Sequence, residues 1–154
     1  MIDNARTGQI HFPVLSITRD QCVVLYEDEQ RLTTAIGRKG STGQPIPGYL
    51  GMKIIDQEGN LFEVREATKG RDLKPLYLGL SLSRFLFRTR RMEAKLSLSM
   101  LGSISLEEAK CLIKDLLPSI CRSLISAGID TDSLEASIDQ AKTMPGLFSL
   151  VDPR

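Results

Sequence analysis

The side chains able to do chemistry are few and scattered. His11 is the chain's one histidine, set between Ile10 and Phe12 in an alternating stretch with no obvious local partner to orient it, so it reads as a surface or packing residue rather than a general base. Carboxylates stand together at Glu107 and Glu108 and in the run Glu27-Asp28-Glu29. Adjacent helix residues point in different directions, however, and Glu108 already has a capping duty, so no favoured acid–base pair emerges. No His, Cys or carboxylate cluster has metal-ligand spacing, which leaves a zinc or non-haem iron site with little to be built from. Neither a metal nor a cofactor is expected. In GRKGSTGQPIPG, 37–48, Lys39 and Ser41 share residue types with a phosphate-binding loop, but Gly-Ser-Thr-Gly leads into Pro45 and Pro47 instead of opening a helix. A catalytic centre assembled from distant residues such as His11, Tyr26, Arg38 and Lys39 stays open, because sequence separation does not limit spatial proximity. Binding is expected ahead of catalysis.

Charge is more informative. From Arg65 to Lys95 there are nine basic residues (Arg65, Lys69, Arg71, Lys74, Arg84, Arg88, Arg90, Arg91, Lys95) and three acidic ones (Glu66, Asp72, Glu93), a balance of +6 within a chain of net charge +1. The remainder therefore carries −5, and a polarised surface favours oriented encounter with a charged partner. The plainer reading is that these are solvated outer faces of strands, where basic residues also discourage edge-to-edge pairing. Nucleic acid is disfavoured as a partner: tryptophan is absent, and Phe85 and Phe87, alternating with Arg84, Leu86 and Arg88, belong in a core rather than on a base-stacking platform.

The elements that must position these residues follow from hydrophobic periodicity. A period near two marks candidate strands at Ile10–Thr18, with Pro13 arguing for an edge or bulge, at Gln21–Glu27 and at Leu32–Arg38. The four glycines and two prolines of 37–48 require a loop. In MKIIDQEGNLFEVREA, 52–67, a three-residue loop Gln57-Glu58-Gly59 with Gly59 in the left-handed region pairs Ile55 with Leu61, Ile54 with Phe62, Lys53 with Glu63 and Met52 with Val64. A two-residue loop would set Ile54 against Glu63 and Lys53 against Val64, mixing charge with apolar surface on both faces. KGRDLKP reads as a turn or loop, and LYLGLSLSRFLFRTRR and MEAKLSLSM as further strands, although the leucines of Leu76–Ser83 also fit part of a helical spacing.

Ser105 changes the pattern. Ser-Leu-Glu-Glu is a capping box, followed by Leu106, Ala109, Ile113, Leu116, Ile120 and Leu124 at steps of three and four. This helix is expected to kink or divide near Leu117, because Pro118 removes a hydrogen bond, and to stop at Gly128. A second helix is expected from about Asp132, its carboxylate capping with Glu135 three residues on, to about Thr143, ended by Pro145-Gly146. Strands followed by helices predict one α+β domain: a mostly antiparallel sheet of about five to seven strands with two C-terminal helices on one face.

With 154 residues, 42% hydrophobic and 25% charged, one soluble domain with a genuine core is expected. No apolar run approaches the roughly 18 to 20 residues of a membrane span, and no secretory signal is read at the N-terminus. Cys22, Cys111 and Cys121 are odd in number and lie in apolar surroundings, so they are expected to be buried thiols of a protein in a reducing compartment, the cytoplasm.

The order of MKIIDQEGNLFEVREATKG, alternating strands and SLEEAKCLIKDLL resembles small bacterial immunity proteins of polymorphic toxin and contact-dependent growth inhibition systems, over residues 50–117. That resemblance implies a small, cytoplasmic, non-enzymatic protein that binds and neutralises a cognate toxin domain. It implies no residue-level site. The candidate contacts instead come from charge: Arg84, Arg88, Arg90 and Arg91 on the basic strands, the 37–48 loop, or Asp130, Asp132, Glu135 and Asp139 on the second helix. A basic toxin would select the acids, and an acidic one the arginines.

Overall fold

The structure, a computed structural model, describes residues 2–3, 9–38, 41–73, 89–126 and 130–151. It is an α+β fold. The strands are β1 (Ile2–Asp3), β2 (Val14–Ile17), β3 (Val23–Tyr26), β4 (Thr34–Arg38), β5 (Lys53–Asp56), β6 (Asn60–Asp72) and β7 (Thr89–Ser103), with a short helix α1 (Glu29–Leu32) before β4. Three helices follow: α2 (Leu106–Ser126), α3 (Thr131–Gln140) and α4 (Met144–Val151).

The sheet runs β1-β7-β6-β5-β2-β3, with β4 pairing β7 on the same side as β1. Every pairing is antiparallel except that of the two-residue β1 with β7. The β5–β6 hairpin has the register its residue types require: Lys53 opposes Glu63, Ile54 opposes Phe62 and Ile55 opposes Leu61. The Val64 amide donates to the Met52 carbonyl at 2.9 Å, extending the match one pair further.

Local chemistry holds this turn. Gly59 has φ +85, and a Cβ there would lie 2.4 Å from the Ile104 carbonyl oxygen, so the position excludes a side chain on both counts. Asp56 is fully buried. Its Oδ1 accepts the Glu58 and Asn60 amides, each at 2.9 Å, and its Oδ2 accepts Asn60 Nδ2 at 3.0 Å and the His11 amide at 3.4 Å.

Burial on both faces divides the interior into two cores. On one face, Leu15, Ile17 and Ile55 meet Ala109, Ile113, Leu116 and Leu117 of α2, Leu134 and Ile138 of α3, and Met144, Leu147, Phe148 and Val151 of α4. On the other, the sheet curls over Val14, Ile54, Phe62, Val64, Ala67, Ala94, Leu96 and Leu98, joined by Ile2, Ile10, Leu32 and Met52. Consecutive residues of β2 and β5 thus serve different cores, which is why Val14–Ile17 is buried at every position. Full burial of a Val, Leu, Ile, Phe or Met side chain contributes roughly 1.5–3 kcal/mol.

Several expectations are corrected. Pro13 precedes β2 rather than marking an edge, since β2 lies between β3 and β5. Leu32 closes α1, whose N-cap is Asp28, and the strand starts at Thr34. Lys69 to Asp72 continue β6, with irregular register along the strand absorbing the mismatch with β7, where a turn was expected. In the glycine-rich loop, Gly43 donates to Lys69 at 2.6 Å, Lys69 to Gln44 at 2.8 Å and Ile46 to Ala67 at 2.9 Å, so the described part of that loop is tied along β6. The segment 74–88, with the expected strand from Leu76 and its helix-or-strand ambiguity, lies outside the described residues, as does Gly128.

The capping box forms as written: Ser105 N donates to Glu108 Oε2 at 2.7 Å and Glu108 N to Ser105 Oγ at 3.2 Å. Helix α2 nevertheless runs through Pro118 as one element. Helix α3 is capped two residues earlier than expected, by Asp130, whose Oδ2 accepts the Ser133 amide at 3.3 Å. Pro145-Gly146 does not stop the chain; it opens α4, with Thr143 Oγ1 accepting the Gly146 amide at 3.2 Å. A first-turn proline has no amide to satisfy, so the same dipeptide that ends one helix can start another. Helix α4 stands in addition to the two expected C-terminal helices.

Cys22 and Cys111 are free and exposed, against the expectation of buried thiols. Cys111 lies two positions from Ala109 and from Ile113, on the far side of α2 from its apolar stripe. Cys22 sits in a turn closed by Thr18 and Cys22 backbone hydrogen bonding at 2.9 Å. The side chain of Cys121 lies outside the description. Among the described residues, no helix is long and apolar enough to cross a membrane.

The capping box carries a direct test. Ser105→Ala should cost about 1 kcal/mol in urea denaturation at neutral pH. Glu108 is fully exposed, and the Ser105 amide and hydroxyl it bonds hold its carboxyl below the ordinary range. A lowered folded pKa means that its stabilisation is present above the unfolded value of about 4.3 and is lost as pH falls through the lower folded value. The stability difference between the parent and Glu108→Gln should therefore shrink on acidification from neutral pH to below 4; a constant difference would refute the ionised cap.

Candidate functional site

The helical layer brings the acidic candidates into one framework. Lys114 of α2 reaches Asp139 Oδ1 of α3 at 2.5 Å and lies 3.9 Å from Glu135 Oε1. The Asp139 hydrogen bond raises the Lys114 pKa, against the opposing effect of desolvation. One turn earlier, the buried Lys110 donates to Glu107 at 2.8 Å and to the Asp139 carbonyl at 3.1 Å. These lysines lock α2 to α3 while Glu107, Glu135 and Asp139 keep 79%, 55% and 60% of their side-chain surface exposed. Residues 106–140 contain seven acidic and three basic residues, a balance of −4, so the layer retains negative charge after internal pairing.

The individual roles differ. Asp130 is the α3 N-cap, Glu135 and Asp139 flank Lys114, and Asp132 is exposed in the first turn of α3. Sequence reasoning missed Lys110, Lys114 and Glu107 as parts of this surface. Spacing of three between Glu107 and Lys110 was a legible signal, whereas Lys114 and Asp139 are 25 positions apart.

The basic candidates are placed less completely. Arg84 and Arg88 lie outside the described residues. Arg90 and Arg91 stand at the start of β7, opposite Gly37 and Ile36 of β4. Around them Arg71 Nε pairs with Glu93 Oε2 at 3.2 Å, and further along β6 Arg65 pairs with Glu63 at 2.7 Å. In the described residues, carboxylates therefore interleave with the basic ones on β6 and β7.

The residues considered for a scattered catalytic centre occupy different settings. His11 lies near Glu58, with Nδ1 3.6 Å from Oε1, beyond hydrogen-bond distance. Tyr26 packs against the second core, and burial raises its phenol pKa despite a Ser16 hydrogen bond. Tyr49 is pushed up to about 12 by burial and then by Tyr26, while its hydroxyl lies 3.0 Å from the Leu32 carbonyl and 3.3 Å from that of Thr34. Arg38 pairs with Thr89 at the end of β4, and Lys39 lies outside the described residues. The acidic run Glu27-Asp28-Glu29 is occupied structurally: Glu27 pairs with Arg31, Asp28 caps α1 and Glu29 accepts the Ile2 amide at 3.1 Å. Among the described residues, no three His, Cys, Asp or Glu side chains gather as a metal site.

No known protein family matches this chain, and no curated protein or solved structure shows significant similarity to it.

Proposed function

We propose that this chain is a non-enzymatic binding protein of the bacterial immunity type, which neutralises a cognate toxin domain by covering it with the acidic α2–α3 layer. The observation that carries the reading is the locked pair of helices: exposed carboxylates at Glu107, Asp132, Glu135 and Asp139 are held on a framework that Lys110 and Lys114 cross-link. A preorganised charged surface loses little side-chain entropy on association and steers an oppositely charged partner toward it. The partner's contact surface is then basic. Interleaving of Glu63 and Glu93 with Arg65 and Arg71 weighs against a nucleic-acid platform on β6 and β7.

The test is a tagged pull-down from source-cell lysate with and without nuclease and across a salt series, followed by affinity measurement on the captured partner. A stoichiometric protein should remain bound. Joint replacement of Asp132, Glu135 and Asp139 by alanine should weaken it more than tenfold, about 1.4 kcal/mol, while Arg90→Ala with Arg91→Ala changes affinity less. Exposed ion pairs contribute about 0–1 kcal/mol, so circular dichroism should show the triple variant folded. Co-elution of nucleic acid alone, or greater sensitivity to the arginine replacements, would reject the reading.

A further inference from the structure

We draw no further inference here: the strongest candidate, the cleft of about 340 Å³ between α1, the start of β4, the end of β6 and the start of β7, is lined by groups already engaged, Arg71 with Glu93 and Glu29 with the Ile2 amide, and nothing in the structure shows what covers it.

Discussion

Replacing Asp56 with alanine should destabilise the protein by about 3–5 kcal/mol, because it strips the acceptor from several inward-facing donors at once. The Glu58 and Asn60 amides and the Asn60 side-chain amide all lie within 3.0 Å of its carboxylate, and the His11 amide lies at 3.4 Å. Alanine offers none of them a partner. An unsatisfied buried donor costs about 1–3 kcal/mol, and partial access of water to the turn keeps the total below the simple sum. Asp56→Asn retains one acceptor oxygen for the two backbone amides, so it should cost distinctly less than alanine. Urea denaturation of the three proteins measures this directly. A loss under about 1 kcal/mol for Asp56→Ala would mean that the turn forms without its carboxylate.

The second large effect is expected at Phe62, where truncation to alanine should cost about 3–5 kcal/mol. Phe62 is 1% exposed and contributes to the core enclosed by the curled sheet. Its backbone pairs with Ile54 of β5 and with Met100 of β7, so a strand on each side limits how far the cavity left by truncation can collapse. Leu101→Ala provides the contrast: Leu101 is 46% exposed in the same sheet, and its replacement should change stability by no more than about 0.5 kcal/mol. Equal effects at the two positions would overturn the assignment of Phe62 to the interior. Both experiments read stability alone, and neither residue lies in the α2–α3 layer, so they leave the binding proposal to its own test.

That proposal illustrates how a surface can be partly legible in sequence. Asp130, Asp132, Glu135 and Asp139 stand out as acids, and the −4 balance over 106–140 follows by counting. Their division of labour does not. Asp130 spends its carboxylate on the Ser133 amide, whereas Asp139 meets a lysine from another helix. Which acid faces which cation depends on the rotation and offset of α3 against α2, and neither helix's own periodicity encodes that.

The sequence by itself determined the features whose energetics are local. Alternation and a glycine in the turn specify the β5–β6 register, since a one-residue slip would put charge on the buried face; the Ser105 and Glu108 box specifies where α2 starts, since its partners are three residues apart. Only the tertiary structure decided that β2 is buried on both faces, that β6 continues through Asp72, that Cys22 and Cys111 face solvent and that Pro145-Gly146 opens a helix. Each of those outcomes depends on what packs against the segment. A chain reports its own hydrogen-bonding and periodic preferences, while burial belongs to the neighbours that folding brings to it.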